Sequence, residues 1–216
     1  MTNQLLYKID LHNNFSLVTI HTKMYNYSCD QMDINIYSDY LTTNESCELF
    51  TQIISNPIHF KNNPITKKGA PSKKRNKTIY GSLDTYTLLY RGKIIDTPIH
   101  SWESFPELYL LAKRIEVTTA QPYNTCVIQI YNSGVVGIKP HKDKEMKSGS
   151  NIASISLGEM RTMRFERNHF DMLDIPLESG ALCVINPPTN DYWLHSIPTD
   201  TTTNIRISLI FRNYIP

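Results

Sequence analysis

The chain of 216 residues carries 22 Lys and Arg against 20 Asp and Glu, and 40% of its residues are hydrophobic. This composition fits one well-cored globular domain and excludes a disordered tail, a collagen-like fibre and a coiled coil. There is no apolar run of roughly 18 residues that could span a membrane, and the start MTNQLLYKID lacks the charged-then-apolar order of a secretion signal. Four scattered cysteines without a C-x-x-C pair also favour a soluble, intracellular protein, nuclear or cytoplasmic.

Charge is unevenly distributed along the chain. Residues 1–60 carry six acids and two lysines, whereas residues 61–77 carry seven cations and no acid. Such a segment on a near-neutral chain suggests an anionic partner along one edge, although a solvated lysine-rich loop would have the same composition. We call this segment the cationic strip, and its members are Lys61, Lys67, Lys68, Lys73, Lys74, Arg75 and Lys77.

The N-terminal part predicts strands followed by a helix. LLYKIDL, FSLVTIHTKMY and INIY have the composition of short strands. Thr42 and Glu45 form a capping box, and apolar residues then recur at helical spacing, so the sequence predicts a helix over residues 43–55. Residues 61–78 combine Pro, Gly and the cationic strip and predict a loop.

The second half predicts one further helix and then a run of strands. Ser104 and Glu107 predict a second capping box, with Pro106 in the first turn and a helix that ends near Val117. Many short strands after a helical start predict an α+β, mainly β fold, a sandwich or jelly roll with the helices packed on one face. The predicted strands are 124–131, 136–143, 152–158, 161–166, 180–186, 192–197 and 204–212.

The first candidate site lies in the sequence PHKDKE. Residues i and i+2 of a strand share a face, so His141, Asp143 and Glu145 should project together. An imidazole beside a carboxylate supplies two thirds of the 2-His-1-carboxylate set that holds non-haem Fe(II), but an exposed charged strand edge has the same sequence. His195, inside a predicted strand, is the best candidate for the second histidine, and a hydrogen-bonded structural histidine is the alternative.

The last predicted strand carries two arginines on one face. Arg206, Ser208, Ile210 and Arg212 alternate with a wholly apolar set on the other face. Two guanidiniums on such a strand indicate bound anions, because Arg binds carboxylates through paired hydrogen bonds, although a solvated sheet face would also accept them. The joint spacing of His-x-Asp, a distant His and then Arg-x5-Arg is far more specific than any of its parts.

These residues resemble the AlkB-type Fe(II)/2-oxoglutarate dioxygenases, closest to the eukaryotic nucleic-acid alkylation-repair branch. The resemblance covers roughly residues 71–216 and rests on IQIYNSG, PHKDKE, SNIASISLGEMRTMRF, PLESGALCVINPPTNDYWLHSIP and RISLIFR. It implies a double-stranded β-helix and a monomeric direct-reversal repair enzyme without a membrane partner, which uses Fe(II), 2-oxoglutarate and O2. The implied reaction is oxidative dealkylation of N-alkylated bases in DNA or RNA, and an RNA or protein hydroxylase or demethylase is the alternative.

The resemblance also implies roles for individual residues. The sequence departs from the family pattern at Gln129, where Asn is usual, and at Ser208 and Ile210, where Asn and Thr are usual. Gln129 and Ser208 can still form hydrogen bonds, so we expect the cosubstrate to bind. The implied metal ligands are His141, Asp143 and His195, and the implied 2-oxoglutarate contacts are Gln129, Tyr131, Arg206, Ser208 and Arg212.

By the same resemblance, residues 1–60 form an N-terminal extension, 61–102 a nucleotide-recognition lid and 103–216 the dioxygenase core of one compact domain. Aromatic rings stack on an extruded base and cations hold phosphates. The alternatives are that the lid tyrosines pack in the core and that Glu145 faces solvent rather than the base edge. The expected substrate contacts are Tyr80, Tyr86, Tyr90, Glu145, Lys73, Lys74 and Arg75.

Overall fold

The computed structural model describes residues 4–6, 19–60, 75–90 and 93–215. No helix among these residues has the length and hydropathy of a membrane span. The α-helices are α1 (Thr43–Ser55), α2 (Pro106–Thr119) and α3 (Thr189–Tyr192). The strands are β1 (Gln4–Leu6), β2 (Thr19–His21), β3 (Lys23–Cys29), β4 (Met32–Ser38), β5 (Asn76–Gly81), β6 (Thr85–Tyr90), β7 (Lys93–Pro98), β8 (His100–Ser101), β9 (Thr125–Tyr131), β10 (Ile138–His141), β11 (Ile152–Gly158), β12 (Arg161–Glu166), β13 (Leu173–Leu177), β14 (Leu182–Ile185), β15 (Leu194–Ile197) and β16 (Arg206–Arg212).

Two sheets form the body of the described structure. The larger has eight strands in the order β3-β4-β14-β11-β16-β9-β5-β8, antiparallel except for the last pair, and the smaller has the order β10-β15-β12-β13. Buried residues of the larger sheet, such as Ile34 and Ile185, share one apolar cluster with Phe165 and Ile197 of the smaller sheet. The two sheets therefore enclose a common core, which is the jelly-roll arrangement predicted from the sequence.

The two long helices cover the other face of the larger sheet. Leu49 of α1 and Leu108 of α2 belong to one buried cluster with Ile207, Leu209 and Phe211, the apolar face of β16. Helices therefore take up one face of β16, and the polar face that carries its two arginines is turned toward the smaller sheet. The predicted fold class, mainly β with helices on one face, is confirmed.

The helix starts differ in how they are capped. Thr42 and Glu45 form the predicted capping box at α1. The second predicted box is wrong, because Phe105 is the N-cap of α2 and makes no side-chain cap, while Ser104 donates its hydroxyl to the Ser101 carbonyl at 2.6 Å. Ser104 is the last residue of the preceding 3-10 turn, Trp102–Ser104, and helix α2 begins two residues later at Pro106.

The structure also contains strands that the sequence did not predict. β13 carries Pro176 but lies at the edge of the smaller sheet, where a missing N–H is tolerated. β6 and β7 form a separate hairpin within the expected lid, whereas β5 pairs with β9 inside the larger sheet. The boundary expected at residue 102 thus does not follow a sheet boundary, and the three-part division of the chain remains a prediction.

Candidate metal and cosubstrate site

Three side chains, two from neighbouring strands and one from the loop after β10, meet at one end of the smaller sheet. His141 is the last residue of β10 and is paired in register with His195 of β15, with the two ring centroids 4.4 Å apart. Asp143 lies two residues beyond β10, and one ligand atom from each of the three side chains lies within 4.8 Å of the others. This is the donor set of a facial 2-His-1-carboxylate centre, which leaves further coordination positions open.

Asp143 reaches the cluster from a loop rather than from a strand. The sequence predicted a strand through residue 143, but β10 ends at His141, so strand alternation does not aim the carboxylate. Instead, the Asp143 N–H donates to Asn190 Oδ1 at 2.9 Å, and Asn190 Nδ2 donates to the Asp143 carbonyl at 2.7 Å. Asn190 lies on α3, so this short helix fixes the backbone of the metal-site loop.

Electrostatics keep His195 and Asp143 in the protonation states that bind a metal. Burial lowers the pKa of His195 to about 4, so its imidazole is neutral at neutral pH. Burial alone would raise the pKa of Asp143, but the charge of Arg212 lowers it, and Arg212 Nη2 lies 2.6 Å from Asp143 Oδ2. His141 Nδ1 contacts the Lys139 carbonyl at 2.9 Å, and because a carbonyl can only accept, Nε2 is left free as a ligand atom.

Arg206 supplies a second binding group deeper between the sheets. Its side chain is 1% exposed, and its guanidinium lies 5.0 Å from the centre of the Tyr131 ring. Nη2 donates to Ser156 Oγ at 2.9 Å, whereas Nε and Nη1 have no partner among the described residues. A buried guanidinium with two unused donors fits a carboxylate, which accepts two parallel hydrogen bonds.

Polar side chains of the neighbouring strands surround this guanidinium. Tyr131 lies opposite Arg206 in the register of β9 and β16, and its hydroxyl donates to Gln129 Oε1 at 3.2 Å. Ser208 lies opposite Gln129 and shares a hydrogen bond of 2.9 Å with Ser154. The structure therefore brings together the predicted cosubstrate residues, although Arg212 pairs with Asp143 and not with a free anion site.

Comparisons with known proteins decide the family. Residues 33–212 match the model of the 2OG-Fe(II) oxygenase superfamily. The chain belongs to this superfamily. It is 32% identical to the DNA oxidative demethylase ALKBH2 of Mus musculus over 123 residues, which are 51% of this chain and 52% of that protein. The alpha-ketoglutarate-dependent dioxygenase alkB homolog 3 of Mus musculus is 29% identical over 150 residues, 63% of this chain and 50% of that protein.

A solved structure supports the fold of this 2OG-Fe(II) oxygenase. OsALKBH1 superposes with a TM-score of 0.58 at 14% identity, covering 88% of this chain and 100% of that one. The chain spans about half the length of the curated relatives it matches. The AlkB-type resemblance is thus confirmed, and the histidine–aspartate cluster and the buried arginine fit the Fe(II) and 2-oxoglutarate of this superfamily.

The residues expected to contact substrate are found in different places in the oxygenase. Tyr80 is 2% exposed and packs with His100 and Phe105 in the cluster beneath the helices, so the structure does not bring it to the metal site. Tyr86 is also 2% exposed and stacks on Tyr214, but its hydroxyl accepts from Arg212 Nη1 at 3.4 Å, beside the site.

The remaining expected contacts divide in the same way. Glu145 is half-buried, and its negative charge contributes to raising the pKa of Tyr86 and the pKa of Arg212. Arg75 donates to the Gly137 carbonyl at 3.4 Å and lies over the Tyr131 ring at 5.7 Å, so it faces the cosubstrate side. Tyr90 lies in β6, and Lys73 and Lys74 fall outside the described residues.

Sequence reasoning missed Arg161, which positions the loop beside the site. It is 2% exposed, and its guanidinium donates to the carbonyls of Gly134, Val136 and Pro198 and forms an ion pair of 2.5 Å with Asp200. The sequence did contain a sign of this role. Arg161 lies on the same face of β12 as Met163 and Phe165, and an arginine on the buried face of a strand needs hydrogen-bond partners inside the protein.

Proposed function

We propose that the chain is an AlkB-type dioxygenase that oxidatively dealkylates N-alkylated bases in DNA, and in RNA as a second substrate. The cluster of His141, Asp143 and His195, together with the buried Arg206 whose Nε and Nη1 have no partner among the described residues, carries the proposal. The names of the relatives, a DNA oxidative demethylase and a dioxygenase, support nucleic acid over other substrates of the superfamily.

In this proposal, each residue has a defined task. His141, Asp143 and His195 hold Fe(II), and Arg206 binds a carboxylate of 2-oxoglutarate with the help of the Tyr131 hydroxyl. When bound, Fe(II), 2-oxoglutarate and O2 supply the oxidation of an alkyl C–H bond, with succinate and CO2 as coproducts. The hydroxylated alkyl group then leaves the base nitrogen as an aldehyde, which restores the free base.

The protein also has to exclude solvent from the metal site and hold the metal-binding side chains in position. Phe165 belongs to the apolar cluster shared by the two sheets, and its ring centre lies 6.3 Å from that of His195, so the core covers the metal site on this side. Arg212 pairs with Asp143 and holds its carboxylate ionised. The proposed setting is intracellular and monomeric, and the four free cysteines, two of them exposed, fit a reducing compartment.

Turnover of defined substrates tests the proposal. The protein is supplied with Fe(II), 2-oxoglutarate and oligonucleotides that each carry one methylated base, in single-stranded DNA, duplex DNA and RNA, and with a methylated peptide. With methylated DNA as the substrate, we expect the wild type to form both succinate and formaldehyde. The Asp143→Ala variant should form neither. Activity on the peptide alone would favour the protein hydroxylase or demethylase, and activity on RNA alone would replace DNA as the substrate.

A further inference from the structure

The β6–β7 hairpin is held to the rest of the molecule by side chains. Its two strands pair with each other and, within the described part of the chain, with no strand of the two sheets. A two-stranded hairpin is only marginally stable by itself in water. The position of this hairpin therefore depends on the contacts that side chains make between it and the sheets.

Tyr214, two residues beyond the end of β16, supplies contacts of this kind. Its hydroxyl accepts from the Thr87 N–H at 2.8 Å and donates to the Thr87 carbonyl at 3.2 Å. A partner residue in a neighbouring antiparallel strand would form the same pair of bonds with Thr87. The Tyr214 ring also stacks on the ring of Tyr86, with the centroids 4.4 Å apart. One side chain thus takes the place of a neighbouring strand for β6.

The backbone of Tyr214 is fixed in turn by a single side chain. Asn124 Oδ1 accepts from the Tyr214 N–H at 2.7 Å, and Asn124 Nδ2 donates to the Tyr214 carbonyl at 2.8 Å. Asn124 directly precedes β9, and its own N–H donates to the Arg212 carbonyl at 3.2 Å. Tyr214 is therefore anchored to the larger sheet through its backbone and to the hairpin through its side chain.

Tyr86 connects the hairpin to the metal site. Its hydroxyl accepts from Arg212 Nη1 at 3.4 Å, and Arg212 Nη2 lies 2.6 Å from Asp143 Oδ2. Tyr86 and Tyr214 belong to one apolar cluster, and Ile210, on the arginine-bearing face of β16, packs against it. The hairpin thus lies against the face of β16 that carries its two arginines, beside one of the three metal-binding side chains.

We propose that Tyr214 is a positioning residue, which holds the β6–β7 hairpin beside the metal site so that the hairpin lines the substrate pocket in a fixed position. It acts through Thr87 and Tyr86. This deepens the proposed dealkylation of nucleic-acid bases and rests on it. A hairpin that has come loose must return to its place when the substrate binds, so part of the lost attachment appears as weaker substrate binding. The cosubstrate, bound by Arg206 between the two sheets, should be unaffected.

The test compares the wild type with Tyr214→Phe, which keeps the stacked ring and loses the hydroxyl. We expect the amides of β6, above all that of Thr87, to exchange hydrogen roughly tenfold faster, because two buried hydrogen bonds are lost. Oligonucleotide binding is measured with Mn(II) in place of Fe(II), using the methylated oligonucleotide that the wild type turns over fastest. The affinity for it should fall about three- to thirtyfold, and the affinity for 2-oxoglutarate should not change.

Tyr123→Phe is the matched control. Tyr123 is also buried, and its hydroxyl contacts Thr119 and Asn151 in the cluster beneath the helices. Its loss should leave both the exchange of β6 and the oligonucleotide affinity unchanged. If Tyr214→Phe does not fold, Asn124→Ala removes the two bonds to the Tyr214 backbone and should give the same pattern.

Three results would overturn the proposal. They are wild-type exchange in β6 of Tyr214→Phe, faster exchange without a loss of oligonucleotide affinity, and an equal loss of affinity for the oligonucleotide and for 2-oxoglutarate. The second would mean that the hairpin does not line the substrate pocket, and the third would indicate general damage. If the wild type dealkylates no methylated base, the proposed function fails, and hydrogen exchange still shows whether Tyr214 holds the hairpin.

Discussion

The guanidinium of Arg206 is the single group that most restricts what this site can bind. It is almost fully buried, and the Ser156 hydroxyl satisfies one of its nitrogens while two remain without partners among the described residues. Leaving a charged group buried without an anion costs several kcal/mol. A bound carboxylate would remove that cost, and the planar fork of arginine is suited to it.

We predict that Arg206→Lys raises the KM for 2-oxoglutarate by roughly ten- to a hundredfold, because lysine cannot supply two parallel hydrogen bonds and one charge-assisted bond contributes about 1.5–3 kcal/mol. Succinate formation measured over a 2-oxoglutarate titration checks this. Arg164→Lys is the matched control, since Arg164 pairs with Asp174 at the surface and should leave the KM unchanged. An unchanged KM in Arg206→Lys would place the cosubstrate elsewhere.

For single residues, the sequence predicts which side chains form the metal site better than it predicts which groups hold those side chains in place. The spacing of His141, Asp143 and His195 pointed to a metal centre, and the structure gathers these three side chains. Apart from the Arg161–Asp200 ion pair, the partners that define the roles of Arg161 and Asn190 are backbone carbonyl and N–H groups of distant segments, and a sequence does not show which backbone groups a side chain will meet. Such contacts follow only from the tertiary fold.

The four-residue helix α3 has a role larger than its size. Thr189 Oγ1 accepts from the Asp33 N–H at 2.7 Å and donates to the Asp33 carbonyl at 3.1 Å, while Asn190 makes its two bonds to Asp143. Adjacent residues of α3 thus connect β4 of the larger sheet to the metal-site loop. We infer that α3 fixes the position of the Asp143 carboxylate.

Asn190→Ala should weaken metal binding by about ten- to a hundredfold, the usual effect of losing a group that orients a ligand. The matched control is Asn168→Ala, which removes an exposed amide in the turn between β12 and β13. Equilibrium Mn(II) affinity, measured beside the melting temperature, separates positioning from loss of fold. Wild-type affinity in folded Asn190→Ala would show that the loop positions itself.

A buried histidine in the 3-10 turn Pro57–Phe60 should make the stability of the fold depend on pH. His59 is 2% exposed between Tyr80 and Phe105, neither ring nitrogen has a partner among the described residues, and burial lowers its pKa to about 4. The unfolded chain takes up this proton near pH 6.5, so stability is complete above that pH and falls toward pH 4, by up to roughly 3 kcal/mol.

His59→Phe should remove this contribution and flatten the decline of the unfolding free energy between about pH 7 and pH 4.5. Urea unfolding at the two pH values measures it. His169→Asn, at an exposed position with positive φ that Asn tolerates, is the control and should retain the wild-type decline. The same decline in His59→Phe would mean that other groups account for the acid sensitivity.

Elements with a strong local sequence pattern lie where they were predicted, whereas elements whose bounds depend on neighbouring segments were missed or given wrong ends. α1 begins at its predicted capping box, whereas β13 was missed because Pro176 argues against a strand unless the strand lies at an edge. β10 ends earlier than predicted because α3, and not a partner strand, bonds the loop after His141. Both errors involve information about neighbours that periodicity does not contain.

The charge distribution over the whole molecule concerns substrate binding. The structure places Arg75 over the Tyr131 ring and Lys77 over the Tyr86 ring. The lysines between residues 61 and 74 lie outside the described residues, and their contact with nucleic acid remains a prediction. Their sequence alone still predicts affinity that does not depend on base identity.

We predict that changing Lys67, Lys68, Lys73 and Lys74 together to Gln flattens the salt dependence of duplex DNA binding. Each neutralised phosphate contributes about −0.9 to the slope of log K against log salt, so two phosphate contacts would contribute about −1.8. The matched control changes Lys23 and Lys113, which lie on β3 and α2, to Gln. Equal slopes for all three proteins would favour a solvated loop and a substrate other than nucleic acid.

Anaerobic Fe(II) binding at equilibrium, in the presence of 2-oxoglutarate, tests the central claim that His141, Asp143 and His195 form the metal centre. We predict one Fe(II) per chain in the wild type and in His169→Asn, and a loss of affinity of about tenfold or more in each of His141→Ala, Asp143→Ala and His195→Ala. Wild-type affinity in any of the three alanine variants, with the fold retained, would contradict the assignment.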